Sequence, residues 1–257
     1  MTTPAVTPID TPPQRHSILS MKQRIKSLIK ALPGVASNSS LARRLFRPRQ
    51  LYLLSGSTRP LSAVYGYDRG TPIDRFYIES FLHLNSSNIK GRCLEIRNND
   101  YTLRFGGQKV TVSDILDVDP KNHQATITAD LQSMPQVPDD SYDCIILTQV
   151  LQYMREPRKA AHECRRILRR DGILLITLPA LGRVDPEAGL DGDYWRFTRA
   201  SASSLFDGFS YVEIESYGNV RTAMLYLIGA AQEDIPRRLL TSHDPWFPVI
   251  ISIAAKR

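Results

Sequence analysis

The sequence predicts an α/β domain built on a doubly wound, mainly parallel sheet and preceded by a basic segment. Short apolar stretches with strand character alternate with amphipathic helical stretches from about residue 65 onwards, which is the pattern of such a sheet. Apolar residues make up 42% of the 257 residues, enough for a sizeable core. An uneven distribution of charge separates the basic segment from the domain.

The positive charge of the chain is concentrated near its start. The whole chain has 33 basic and 26 acidic residues, for a formal net charge of +7. Residues 1–60 hold ten of the basic residues and one acid, Asp10, so this segment has a net charge of +9. The other 23 basic and 25 acidic residues give the domain a net charge of −2. Because the domain itself is not basic, we expect no nucleic-acid partner.

We expect residues 1–60 to form a largely disordered leader. Residues 1–14 are rich in Pro and Thr, a composition typical of disorder. Apolar residues with helical spacing run from Ile18 to Leu32, and the other face carries Lys and Arg without an acid, which predicts a basic amphipathic helix over 18–32. Such a helix can bind an anionic membrane or a partner, or pack on its own domain; an organellar transit peptide is a further alternative.

The remaining composition predicts a cytoplasmic protein, with peripheral membrane association through the leader as an option. No apolar run approaches the roughly 18 residues that a membrane span needs, and no signal peptide is evident. Cys93, Cys144 and Cys164 lie far apart without a CxxC pair. We therefore expect three buried thiols, with neither a disulfide framework nor a metal site.

The elements of the domain follow in a regular order. A helix is predicted from Thr71-Pro72 to Leu84, with Thr as the cap and Pro at the first position. A second helix is predicted over residues 157–170, with Gly172 as its terminator. Strands are predicted over residues 92–96, 109–116, 125–129, 142–148 and 172–178.

Such a sheet binds ligands at the carboxyl ends of its strands, so the residues there are the candidates for a site. Asp114, near the end of the second strand, is expected to bind a ribose diol, because a carboxylate accepts two hydrogen bonds. Asp117 and Asp119 are close alternatives for that role. Asp130, after the third strand, can accept a hydrogen bond from an adenine amino group.

Three segments resemble the type-11 branch of class I S-adenosylmethionine-dependent methyltransferases. They are residues 139–153, which end in a QVLQY turn, residues 165–172, which read RRILRRDG, and residues 193–198, which read DYWRFT. The resemblance covers roughly residue 65 to the C-terminus. It implies a Rossmann-like fold with a mainly parallel seven-stranded sheet, an antiparallel last strand near residues 248–255, and helices on both faces. The first and fourth strands should be neighbours.

The resemblance also implies the chemistry: S-adenosylmethionine as cofactor, and a small-molecule or glycosyl acceptor methylated at oxygen or, less often, at nitrogen. It implies cofactor contacts for seven residues: Glu95, Arg97, Asn99, Asp114, Asp130, Leu131 and Gln149. It implies acceptor contacts for five: Gln152, Asp193, Tyr194, Trp195 and Arg196.

The chain departs from the family at its glycine motif, E/D-x-G-x-G-x-G. Arg97, Asn99 and Tyr101 stand at the three glycine positions, and neither Arg97 nor Tyr101 adopts a positive φ at low cost. Arg97 either clamps the carboxylate of the cofactor's methionine part or obstructs its site. The general base is not identified, because relatives often have His where Gln152 stands. Tyr194, Asp193 and Asp191 are the alternatives considered for that role.

Two other functions stay open on the sequence alone. The lost glycines favour a catalytically degenerate protein that acts as a scaffold or regulatory partner. An NAD-dependent enzyme of a related fold is a weaker alternative, because no GxGxxG follows the first strand.

Overall fold

The computed structural model describes residues 57–257. The chain divides into two units after Thr58, and all the elements below belong to the second, Arg59–Arg257. The predicted leader and its helix over 18–32 therefore lie outside the described residues, apart from the last few positions of the leader. The packed part begins slightly before residue 65, because the N–H of Leu61 donates to the carbonyl of Ile228 (2.8 Å) and Ser62 is buried.

The described part of the chain contains five α-helices and seven β-strands. The helices are α1 (Ile73–Leu84), α2 (Pro157–Ile167), α3 (Arg199–Ser203), α4 (Val220–Leu227) and α5 (Arg237–Leu240). The strands are β1 (Gly91–Ile96), β2 (Val110–Asp117), β3 (Ile127–Thr128), β4 (Tyr142–Thr148), β5 (Leu168–Pro179), β6 (Tyr211–Tyr217) and β7 (Ile250–Lys256).

All seven strands form one sheet in the order β3-β2-β1-β4-β5-β7-β6. The first five strands along the chain are parallel to one another, whereas β7 lies between β5 and β6 and is antiparallel to both. The seven-stranded sheet, the antiparallel final strand and the contact between β1 and β4 are confirmed.

Helices cover both faces of this sheet. Leu94 and Ile145 belong to the apolar core shared with α2 and α3, while their neighbours Cys93 and Ile146 belong to the core shared with α1 and α4. This follows from the alternation of side chains along a strand, and it explains why the central strands are apolar throughout.

The connection between β1 and β2 is unusually short. In place of a regular helix it contains one π-helical turn, Thr102–Gly106, and one 3₁₀ turn, Gly107–Lys109. The helix after the first loop is thus reduced to these two turns. The loop after β1 therefore depends on its own side chains for support.

The three cysteines are free and fully buried, as predicted. Within the described residues, no helix is long and apolar enough to cross a membrane. Over the same residues, no group of His, Cys, Asp or Glu is arranged to hold a metal ion.

Candidate active-site cleft

A large open cleft, with a volume of about 1510 Å³, runs along the carboxyl ends of the parallel strands. A site for one small ligand usually measures about 300–1,000 Å³, so this cleft has room for two ligands side by side. Of the predicted site residues, eight line it: Glu95, Arg97, Asp130, Leu131, Gln149, Gln152, Asp193 and Arg196.

Glu95 supports the loop after β1 from below. It is 3% exposed, and its carboxylate accepts hydrogen bonds from the backbone N–H groups of Thr102 (2.7 Å) and Tyr101 (3.3 Å). Burial raises the pKa of Glu95 to about 7, although the hydrogen bonds from Thr102 and Tyr101 oppose that rise. The carboxylate thus replaces part of the support that a longer helix would give.

Arg97, at the first glycine position of the motif that the sequence resembles, has a backbone conformation that favours glycine. Its φ is +69°, in the left-handed region that costs a non-glycine residue about 1–2 kcal/mol. Two bonds hold it there: its N–H donates to Leu116 O (3.0 Å), and its carbonyl accepts from Asn122 Nδ2 (2.7 Å). The side chain is 74% exposed and lies 3.7 Å from the carboxylate of Glu187.

The other two residues of the motif differ in orientation. Asn99 does not line the cleft; its side-chain amide donates to Ser113 Oγ on β2 (3.0 Å), so the predicted cofactor contact through this side chain is not supported. Tyr101 does line the cleft, and its hydroxyl accepts a hydrogen bond from Arg75 Nη1 (3.2 Å).

Asp114 does not line the cleft, so the structure does not support its predicted contact with a ribose. β2 continues to Asp117, and Asp114 is buried within it, where its carboxylate pairs with Arg92 (2.7 Å) and accepts from the hydroxyl of Tyr142 (3.1 Å). The acid at the carboxyl end is Asp117, the alternative considered above. It lines the cleft and is oriented by Asn122, whose amide donates to it (2.7 Å).

The residues after β3 lie at the far end of the same cleft wall. Asp130 is exposed, and its carboxylate is held by the backbone N–H of Gln132 (2.8 Å). Leu131 is 3% exposed and packs into the core while contributing an apolar surface to the cleft. A carboxylate beside an apolar surface can receive the amino edge and the face of a flat base.

The turn after β4 contributes two glutamines. Gln149 has a φ of +55°, and its N–H donates to Thr177 O on β5 (2.9 Å). Gln152 is buried; its Nε2 donates to Gln149 O (2.9 Å), while its Oε1 has no hydrogen-bond partner within the part of the chain that the structure describes. That oxygen is available to a donor in the cleft.

The loop of residues 193–198 presents only half of its predicted residues to the cleft. Asp193 and Arg196 line it and pair with each other (2.6 Å). Burial raises the pKa of Asp193, but bonds from Arg196 and the Asp185 N–H outweigh it, so this pKa lies below its usual value. Asp193 is therefore a weak base.

Tyr194 and Trp195 do not line the cleft, so the structure does not support their predicted acceptor contacts. Their side chains are 41% and 42% exposed; Trp195 Nε1 donates to Met154 O (2.8 Å), and the Tyr194 ring packs against Arg155. The aromatic pair covers the outside of the turn after β4. Asp191, the third alternative for the base, is exposed and does not line the cleft either.

The sequence did not reveal a second polar group in the cleft, formed by Tyr65, Tyr153 and Asp185. Asp185 Oδ2 accepts from Tyr153 (2.7 Å), and Oδ1 accepts from Tyr65 (3.2 Å) and from the N–H of Glu187 (3.0 Å). Burial, with the nearby Asp185 charge, raises the pKa of both phenols, so they remain donors. The residues come from three separate loops, and no motif links them.

Comparison with known proteins gives one family match. Residues 99–176 match the model of a family described as "Methyltransferase domain". No curated protein matches the sequence.

Comparison with solved structures gives matches at low identity. A SAM-dependent methyltransferase from Archaeoglobus fulgidus has 13% identity and a TM-score of 0.50, over 71% of this chain and 94% of that one. An S-adenosylmethionine-dependent methyltransferase from Mesorhizobium loti has 15% identity and a TM-score of 0.45, over 66% and 93%.

Proposed function

We propose that this chain contains a class I S-adenosylmethionine-dependent methyltransferase domain and that it methylates an oxygen of a small or glycosyl acceptor. The observation that carries the proposal is the Tyr65–Asp185–Tyr153 group at the end of a cleft large enough for cofactor and acceptor together. Hydroxyl and carboxylate groups of this kind suit the many hydrogen bonds of a hydroxylated molecule.

The residues present fit the cofactor of this family. Arg97 retains a positive φ, and its side chain is 74% exposed and pairs with Glu187, another residue that lines the cleft. Asp117 and Asp130 lie along the same wall and suit a ribose and an adenine amino group. The positive φ at Arg97 supports an intact loop over the alternative of a degenerate scaffold, which rested on the missing glycines.

When bound, S-adenosylmethionine supplies a methyl group on a positively charged sulfur and leaves as the neutral thioether. The protein's part is to align the acceptor oxygen with that methyl group and to take up the acceptor's proton. We assign the proton to Asp185. Its Oδ2 accepts only from Tyr153 among the described residues, which leaves a lone pair for the acceptor hydroxyl.

The test is methyl transfer from labelled S-adenosylmethionine to a panel of sugars, phenols and hydroxy acids, with matched amines as comparison. We expect transfer to hydroxyl acceptors, and Asp185→Asn to lower kcat by about 10²–10⁴-fold without changing the affinity for S-adenosylhomocysteine. Asp191→Asn is the matched control and should keep full activity.

Two outcomes would count against this function. Cofactor binding without transfer to any acceptor would favour the scaffold alternative. Transfer to amines alone would move the reaction from oxygen to nitrogen.

A further inference from the structure

Arg75, in the first turn of α1, presents a guanidinium group to the cleft and is held from two sides. Its Nε donates to the hydroxyl of Tyr67 (3.1 Å), and its Nη1 donates to the hydroxyl of Tyr101 (3.2 Å). All three side chains line the cleft. Tyr67 precedes α1 and Tyr101 follows β1, so two separate segments fix the position of one cation.

The charge of Arg75 is not balanced by an ion pair. No carboxylate oxygen of the described residues lies within 4.0 Å of its guanidinium, and the neighbouring carboxylates have other donors. Asp74 accepts from the backbone N–H of Arg75 (2.9 Å), Glu79 pairs with Arg104 (2.8 Å), and Glu95 binds the loop amides. Burial lowers the pKa of Arg75, and nearby charges, that of Asp74 above all, more than offset this effect. No described carboxylate is in contact with the guanidinium, so its free donors are suited to an anionic ligand.

The unused donors of Arg75 have the geometry for a carboxylate. A guanidinium has five N–H donors in one plane, and the two tyrosines use one on Nε and one on Nη1. Both donors on Nη2 and one on Nη1 remain. Adjacent nitrogens with free donors bind the two oxygens of a carboxylate in parallel.

We propose that Arg75 binds the carboxylate in the methionine part of S-adenosylmethionine, with Tyr67 and Tyr101 as positioning residues. The proposal rests on the proposed function. Tyr101 links this cation to the loop after β1, since its N–H binds Glu95 and its hydroxyl binds Arg75. The proposal gives Tyr101, at the third glycine position, a role in cofactor binding. It also assigns the binding of the cofactor's carboxylate to Arg75, in place of Arg97, for which the sequence left that role open.

The test uses two ligands that differ only in that carboxylate: S-adenosylmethionine and its decarboxylated form. We expect the wild-type protein to bind the carboxylated ligand more tightly. Arg75→Met should weaken binding of S-adenosylmethionine by roughly ten- to a hundredfold and leave binding of the decarboxylated ligand unchanged. Arg104→Met removes another cleft-lining arginine, one already paired with Glu79, and should keep the wild-type ratio of the two affinities. Tyr101→Phe should reduce the preference for S-adenosylmethionine over its decarboxylated form by a few-fold.

Calorimetric titration separates the outcomes. Unchanged binding of S-adenosylmethionine by a folded Arg75→Met variant would overturn the clamp and leave the proposed function intact. Equal weakening for both ligands would show a distorted cleft and would also overturn it. A wild-type protein that binds neither ligand would refute the proposed function itself. Should Arg75→Met fail to fold, Arg75→Lys keeps the charge but loses the paired donors; full wild-type affinity in that variant would contradict carboxylate pairing.

Discussion

Arg92 on β1 and Asp114 on β2 form an ion pair across neighbouring strands, with 2.7 Å between Nη2 and Oδ2. The hydroxyls of Tyr142 and Thr126 also donate to Asp114. We expect Asp114→Ala to lower the free energy of unfolding by about 1–3 kcal/mol, because it leaves these donors without their acceptor. Binding of S-adenosylhomocysteine should stay within twofold. Denaturant unfolding and titration calorimetry measure the two effects, and a loss of affinity without a loss of stability would return Asp114 to the site.

Asp117 should show the opposite behaviour. Its carboxylate lies at the end of β2 and lines the cleft, so Asp117→Ala should weaken binding of S-adenosylhomocysteine about tenfold or more. Asp119→Ala is the matched control: Asp119 also lines the cleft, but it is exposed and lies two residues beyond the end of β2. Equal affinities of these two variants would contradict the assignment.

Because Arg97 has a left-handed backbone, we expect Arg97→Gly to be more stable than the wild type and Arg97→Val to be less stable. Arg97→Gly should raise the free energy of unfolding by up to about 1 kcal/mol, since glycine adopts φ of +69° without the cost that arginine incurs. Arg97→Val should lower it, because a β-branched residue is strained at positive φ. Affinity for S-adenosylhomocysteine should change by less than threefold in Arg97→Gly. Stabilities in the reverse order would show that the backbone is not strained there.

Glu95 predicts a stability that depends on pH. Burial raises its pKa from about 4.5 to about 7, so between these values the folded state binds more protons than the unfolded state. The contribution of Glu95 to the free energy of unfolding is therefore fully present below about pH 4.5 and is lost as the pH rises to about 7. The loss amounts to roughly 3 kcal/mol. The difference in unfolding free energy between wild type and Glu95→Gln, measured across this pH range, isolates the contribution of Glu95. A difference that is constant over this range would rule out the raised pKa.

The basic leader predicts binding to anionic membranes. Its net charge of +9 over residues 1–60 should attract the full chain to vesicles that contain phosphatidylserine, and high salt should weaken that attraction. Replacing Lys22, Arg24, Lys26 and Lys30 with Gln should reduce binding, while the melting temperature stays nearly the same. Co-sedimentation that is insensitive to both salt and these substitutions would argue for another partner.

The buried strands could be predicted because their apolar runs are visible in the sequence. The bounds of β4 agree with the prediction residue for residue, whereas β6 was missed. Only Ile214 of β6 is buried, so this strand has no apolar run to recognise. The end of β2 was predicted one residue too early because the apolar run ends at Leu116. The sequence also does not show that Asp114 pairs with Arg92 on the neighbouring strand β1.

The site was predicted best where a residue lies at or near the carboxyl end of a strand. Glu95, Asp130 and Gln149 are such residues, and all three line the cleft. Asp185 and Tyr65 come from long loops that fold back over the strands, and their contact joins residues 120 positions apart. Within residues 193–198 the sequence could not tell the inward side chains from the outward ones, because the loop has no period.

The placement of Trp195 gives this protein an intrinsic optical signal. The indole binds the carbonyl of Met154, a cleft-lining residue, and stands between the cleft-lining Asp193 and the inward Arg196. The chain's other tryptophan, Trp246, is 86% exposed against 42% for Trp195, so an aqueous quencher such as iodide suppresses its emission more strongly. The remaining fluorescence then comes mainly from the ring attached to Met154 at the wall of the cleft, and it offers a label-free signal for occupancy of the cleft.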